Sequence, residues 1–165
     1  MASELHDQLC IRAAKYLKNN GFGVVFDDRY QASTGSGEYP DAIGFRNGTS
    51  CLIEVKVSRS DFLADKKKHF RSDPSIGMGD WRFYMCPPNM IEADELPQGW
   101  GLLYAHNKII KNVHGFPPNT RWYSHKPFIG NKQSECDFMY GALRRMQIKG
   151  HFDSIYEKLE VQKCS

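Results

Sequence analysis

Apolar side chains at Leu5, Leu9, Ala13, Tyr16 and Leu17, with Cys10 and Ala14 beside them, recur at the i, i+4 spacing of one helical face. They predict a helix over residues 3–19 capped by Ser3. Asn19-Asn20-Gly21 stops it, and β-branched and aromatic residues then predict a strand over Phe22–Phe26 that ends in Asp27-Asp28. The polar, glycine-rich stretch from Ala32 to Glu38 reads as an exposed loop. It leads to a strand over Tyr39–Phe45, which Asn47-Gly48 turns back as a hairpin into a third strand over Ser50–Val57. At Ser58-Arg-Ser-Asp61 the pattern becomes that of a capped helix running to Phe70. Trp81–Cys86, Trp100–Tyr104 and Lys108–Val113 read as further strands, 115–133 as irregular, and Ser134–Tyr156 as a closing amphipathic helix. Helix, three strands, helix, further strands predicts a mixed α/β fold.

Composition narrows the class. At 165 residues, with 41% hydrophobic and 25% charged side chains, the chain is read as one globular domain with residues 121–165 as a basic, helical C-terminal extension. No apolar run approaches the roughly 18–20 residues that span a bilayer, and Met1-Ala-Ser-Glu-Leu-His-Asp is not a basic-then-apolar leader, so a cytoplasmic protein is expected. The cysteines (Cys10, Cys51, Cys86, Cys136, Cys164) are scattered, odd in number and never in a CxxC pair. They argue against a disulfide framework or a zinc knuckle and read as small apolar fillers or free thiols. The six histidines show no zinc-hydrolase spacing. A formal net charge of +3 is too small to argue for nucleic acid, but residues 1–120 hold 14 basic and 14 acidic side chains whereas 121–165 hold 8 and 5.

The chemistry concentrates in Tyr39-Pro-Asp41 and Ile53-Glu54-Val-Lys56. Alternation along a strand puts Glu54 and Lys56 on one face and Ile53, Val55 and Val57 on the other. The hairpin folds Asp41 back toward them. Two converging carboxylates repel unless a cation lies between them, and oxygen donors suit Mg²⁺ or Mn²⁺. Lys56 would then orient or help deprotonate a water and stabilise negative charge. The same spacing also fits an exposed i, i+2 ion pair worth about 0–1 kcal/mol.

Pro40-Asp41, followed after twelve residues by Glu54-Val55-Lys56 on a β-branched strand, resembles the PD-(D/E)xK nuclease superfamily, over roughly residues 3–105. The run Ser58-Arg-Ser-Asp61-Phe62-Leu-Ala-Asp65-Lys66-Lys67 is similar to small phage- or prophage-encoded and MmcB-like, DNA-repair-associated members. The resemblance implies a restriction-endonuclease-like core of helix, three-stranded meander, helix and further strands. It also implies a divalent-metal-dependent nuclease acting on DNA, with Asp41, Glu54 and the Val55 carbonyl on Mg²⁺ or Mn²⁺, Lys56 catalytic, and Glu4 of the first helix, or less strongly Asp7, as a further metal ligand. Some members have lost catalysis, so a silent nucleic-acid- or protein-binding module is the alternative, and a homodimer acting on branched DNA a third possibility.

Basic residues extend this expectation. Arg59, Lys66 and Lys67 on the helix after the motif, and Arg144 and Arg145 near the C-terminus, are candidates for phosphate contacts, with Arg121, Trp122 and Tyr123 as possible additions. Trp81, Tyr84, Trp100 and Tyr104 read as core. Asp61 and Asp65 read as capping or pairing with basic neighbours, Asp27-Asp28 as a turn-flanking acidic pair, His6 as an exposed polar residue at the site's edge, and Glu38 as an outer ligand.

Overall fold

A computed structural model describes residues 4–160. Helix α1 (Glu4–Asn19) is followed by strands β1 (Val24–Asp27), β2 (Ala42–Arg46) and β3 (Thr49–Val55), short helices α2 (Arg59–Asp65) and α3 (His69–Ser72), strands β4 (Trp81–Cys86), β5 (Gly101–Ala105) and β6 (Ile110–His114), and helix α4 (Lys132–Ile148). The strands form one six-stranded sheet in sequence order. β1, β2 and β3 are antiparallel, β3, β4 and β5 are parallel, and β6 returns antiparallel. The result is an α/β fold with a mixed sheet flanked by helices. No described helix is long and apolar enough to cross a membrane.

Each sheet face has its own core. Leu9, Cys10, Ala13, Ala14 and Leu17 of α1 pack against Cys51, Ile53, Val55, Phe83 and Met85 on one face. Leu52, Tyr84 and Leu102 meet Phe62, Trp100 and Phe138 on the other. Strands β3 and β4 are buried along their whole length, as expected where both faces are covered. Leu5, placed on the buried face by its spacing, is exposed, because the buried stripe of α1 centres on Cys10, Ala13 and Leu17 and leaves Leu5 at its margin. The Ser3 cap lies outside the described residues.

Three expectations change. The helix over 58–70 is broken after Asp65 into α2 and α3, although Ser58 caps it as expected, its Oγ accepting from the Asp61 N–H at 3.2 Å. The closing helix ends at Ile148 and gives way to a short 3₁₀ turn at Phe152–Tyr156. Trp122 is no surface contact: it is 1% exposed and meets Phe22, Trp81 and Phe116 edge-on at centroid distances of 5.0–5.2 Å. Phe138 of the same C-terminal segment packs in the other core.

A buried polar anchor at the β2–β3 turn end of the sheet ties that segment down. Asp80 accepts from the Gly130 N–H (2.8 Å), Lys132 Nζ (2.8 Å) and Lys126 Nζ (3.2 Å), while Ser50 Oγ donates to Glu135 Oε1 (2.7 Å) and accepts from the Asp80 N–H (3.0 Å). Burial alone would raise the Asp80 pKa, but these donors outweigh it and hold the carboxyl below its ordinary 3.8. A depressed carboxyl contributes stability above its unfolded value and loses it as pH falls through the folded one. Asp80→Asn should therefore cost about 1–3 kcal/mol at neutral pH. Urea unfolding followed across pH should show the gap to wild type narrowing below about pH 4.

Candidate functional site

β2 begins at Ala42, opposite Ile53, so β3 runs on past its antiparallel partner at Glu54 and Val55. Asp41 closes that gap: its Oδ2 accepts the Val55 N–H at 2.8 Å. The N–H and C=O of one residue in an extended strand point to the same edge, so the Val55 carbonyl is directed to the Asp41 side as well. On the other edge, the Lys56 N–H donates to the Met85 carbonyl of β4 at 2.9 Å.

Glu54 and Lys56 share a face, but they are not an exposed pair: each is 3% exposed. Lys56 Nζ lies 3.4 Å from Glu54 Oε2 and 3.4 Å from Asp65 Oδ1. Arg71 completes the cluster. Its Nε donates to Asp65 Oδ2 (2.9 Å), its Nη1 pairs with Glu38, and its Nη2 lies 3.3 Å from Glu54 Oε1. Phe70 and Trp100 flank the guanidinium, each ring centroid 4.7 Å from it. Asp65 accepts from Tyr84 Oη (2.7 Å) and pairs with Lys68 (2.9 Å), and Glu38 accepts the Met78 N–H (2.7 Å).

This cluster explains two departures from expectation. Residues six apart on a continuous helix point away from each other, so Arg71 reaches Asp65 only because the chain turns at Lys66–Lys68. Glu38 and Ser36 are buried, not parts of an exposed loop, because Glu38 must meet the buried guanidinium. Asp65 does pair with basic residues, although all three of them, Lys56, Lys68 and Arg71, come from outside its own helix.

Charge sets the protonation of the group. Burial, and then the nearby Asp41 charge, push the Glu54 carboxyl up to about 8 in spite of Arg71 and Lys56. Burial alone would lower the Lys56 pKa, but Glu54, Asp65 and Asp41 together raise it, so Lys56 is an ammonium at neutral pH and not a proton acceptor. Asp65 is held well below the ordinary carboxylate range: Arg71, Lys56 and Lys68 more than offset its burial.

The first helix delivers His6 rather than Glu4. His6 Nε2 lies 3.5 Å from Asp41 Oδ1, whereas Glu4 is exposed and accepts from Gln8 within the helix at 3.2 Å. Asp7 is exposed and lies 3.7 Å from His6. Asp28 faces His6, while Asp27 is taken by Arg29 in a turn (2.6 and 2.8 Å). His6 is four residues from Cys10 and so continues the buried stripe of α1, a signal present in the sequence.

The basic candidates divide. Arg59 is paired to both carboxylate oxygens of Glu95 (2.6 and 2.7 Å), and Lys66 Nζ donates to the Glu95 carbonyl (2.8 Å). Both brace the loop after β4. Lys67, Arg144 and Arg145 are exposed. A cavity of about 370 Å³ opens on Glu54, bounded by Gly37, Glu38, Tyr39, Lys68, His69 and Phe70. Tyr39, Lys68 and His69 at this mouth, not Arg59 or Lys66, are therefore the groups nearest Glu54 that could meet a ligand.

No family model matches the sequence, and no curated protein matches it. The chain is similar in structure to the SPO1766 protein of unknown function from Silicibacter pomeroyi, with a TM-score of 0.53 and 25% identity over 90% of this chain and 92% of that one. That similarity spans the sheet and its helices and says nothing about chemistry.

Two outcomes follow from the buried cluster. Arg71→Met removes the shared partner of three carboxylates and should cost about 3–5 kcal/mol in urea unfolding. Glu54, with a folded value above its ordinary 4.5, holds its proton more tightly in the native chain than in the unfolded one. Its contribution is full below about pH 4.5 and drains away as pH rises to about 8. Wild type should therefore lose more stability than Glu54→Gln between about pH 5 and about pH 8.

Proposed function

We propose that this protein is a divalent-metal-dependent phosphodiesterase, a nuclease acting on DNA, built on a restriction-endonuclease-like core. The observation that carries the reading is the convergence of Asp41 and Glu54 at the end of β3, with Lys56 beside them in a buried setting. The helix, three-stranded antiparallel meander, helix and parallel fourth strand agree with the PD-(D/E)xK arrangement that the sequence resembles.

The residues suit a hard cation. Glu54 Oε1 is buried with no hydrogen-bond partner, although Arg71 Nη2 lies 3.3 Å away, and the carboxyl is pushed up partly by the Asp41 charge. The mutual repulsion of Asp41 and Glu54 is what an intervening cation would relieve. Asp41, Glu54 and the Val55 carbonyl would hold Mg²⁺ or Mn²⁺ there. When bound, such an ion supplies charge stabilisation to a phosphodiester and a more acidic water.

The chain's own groups have distinct tasks. Lys56, fixed as an ammonium between Glu54 and Asp65, orients the attacking water and stabilises negative charge as it develops on the phosphate oxygens. Arg71 positions Glu54 and Asp65 rather than touching substrate, since its donors are turned to carboxylates within the protein. Lys68 and His69 at the cavity mouth contact the backbone phosphates, and exposed Tyr39 offers a ring to a sugar or base. Exposed Lys67, Arg144 and Arg145 add sequence-independent, salt-dependent attraction.

The direct test is incubation of the purified chain with plasmid, linear and single-stranded DNA, and with RNA, in Mg²⁺ or Mn²⁺. Cleavage of DNA is expected, falling about 10²–10³-fold in Lys56→Met, which keeps the volume and removes the charge. Asp41→Asn should abolish both cleavage and Mn²⁺ binding measured by calorimetry. Mn²⁺ binding with no cleavage of any substrate would instead favour a binding module on this fold, and equal cleavage by Lys56→Met would overturn the assignment of that residue.

A further inference from the structure

Beside the Asp41–Glu54 pair lies a second donor set whose chemistry is different. His6 and Cys10 stand one turn apart on α1, with Cys10 Sγ 3.6 Å from His6 Nδ1 and 3.9 Å from Nε2. His6 Nε2 is also 3.5 Å from Asp41 Oδ1, and one donor atom from each of His6, Cys10 and Asp41 lies within 4.8 Å of the other two. Asp28, in the loop after β1, falls in a separate group with His6 and exposed Asp7. One nitrogen, one sulfur and one carboxylate therefore converge from α1 and the residue before β2.

From these contacts we infer a binding site for a thiophilic divalent ion of the Zn²⁺ class, with His6, Cys10 and Asp41 as ligands and the fourth position open. The spacing fits. With bonds of about 2.3 Å to sulfur, about 2.0–2.1 Å to nitrogen and about 2.0–2.2 Å to oxygen, a tetrahedral ion separates its nitrogen from sulfur by about 3.6 Å and from oxygen by about 3.3 Å. The distances from His6 Nε2, 3.9 Å to Cys10 Sγ and 3.5 Å to Asp41 Oδ1, exceed these by only a few tenths of an ångström. Sulfur and imidazole donors select Zn²⁺ or Co²⁺ over Mg²⁺, which takes oxygen. Cys10 is fully buried with its thiol on this cluster, so the ion is held from one side by the protein and reaches the site past half-buried His6, Asp28 and Asp41. Coordination releases the Cys10 S–H proton to solvent and leaves a thiolate on the ion. No Cys/His spacing motif announces the site, because two donors share one turn of α1 and the third, Asp41, comes from a distant segment.

Asp41 belongs to both donor sets. On the proposed nuclease reading, an ion of the Zn²⁺ class withdraws Asp41 from Glu54 and so inhibits Mg²⁺-dependent cleavage. That consequence rests on the reading; the binding itself does not.

The test uses full-length protein in which exposed Cys136, and Cys164 of the C-terminal segment, are replaced by serine (Cys136→Ser, Cys164→Ser). Zn²⁺ affinity is measured by competition with a chromogenic chelator, and Co²⁺ is followed by absorption. One ion should bind per chain, and Co²⁺ should give a near-ultraviolet sulfur-to-cobalt band that Cys10→Ser abolishes. His6→Asn and Cys10→Ser should each weaken Zn²⁺ binding at least about tenfold, the loss that even an outer-shell change produces. Glu54→Gln separates the two readings: it should remove Mn²⁺-dependent cleavage and leave Zn²⁺ affinity unchanged. Co²⁺ binding without the sulfur band, no Zn²⁺ binding, or Zn²⁺ affinity unchanged in both His6→Asn and Cys10→Ser would each overturn the site, whatever the outcome for cleavage. Should Cys10→Ser fail to fold, the partly exposed His6→Asn and the sulfur-to-cobalt band of the parent protein still decide it.

Discussion

The geometry at the end of β3 depends on one buried cation. Arg71 lies between the rings of Phe70 and Trp100 and faces Glu38, Glu54 and Asp65 at once. A guanidinium is suited to this position because its donors spread in a plane and its faces accept aromatic rings, whereas a lysine would serve only one carboxylate well. Removing it from water is costly, and the protein organises several elements to offset that cost. The helix after β3 breaks so that Arg71 turns inward, and the loop before β2 is drawn under the sheet by Glu38. Glu54 and Asp65 are in turn held on either side of Lys56.

Much of the architecture was legible in the sequence because burial follows local period. Cys51, Ile53 and Val55 alternate with Leu52 and Glu54, and the structure sends the two sets to opposite faces. Asn47-Gly48 turns the hairpin where its chemistry requires. The break after Asp65 was not legible, since residues 58–70 have good helical character and only a contact with a buried arginine overrides it. Glu38 was hidden for the same reason: a glycine-rich, polar stretch reads as solvated until its partner is known.

The site residues divide along similar lines. Asp41, Glu54 and Lys56 were readable because strand alternation and the hairpin bring them together without further information. The choice of His6 over Glu4 depends on how α1 is rotated against the sheet, which its most buried positions, Cys10, Ala13 and Leu17, decide. Arg59 and Lys66 looked free for phosphate because a sequence does not reveal that Glu95, far along the chain, folds back onto them.

Strands β3, β4 and β5 are parallel, so their carboxyl ends open at one pole, with Asp41, Glu54 and Lys56 at the first of them. In open sheets of this kind ligands collect beyond those ends. The loop from Pro87 to Trp100 leaves from this pole, braced by Arg59 and Lys66 through Glu95 and tied to β5 by the Tyr104 hydroxyl, which donates to the Ile91 carbonyl at 2.7 Å. Its exposed positions, Glu92, Ala93 and Asp94, can vary what reaches the pole, while buried Ile91 and Trp100 keep the ion cluster beneath in shape.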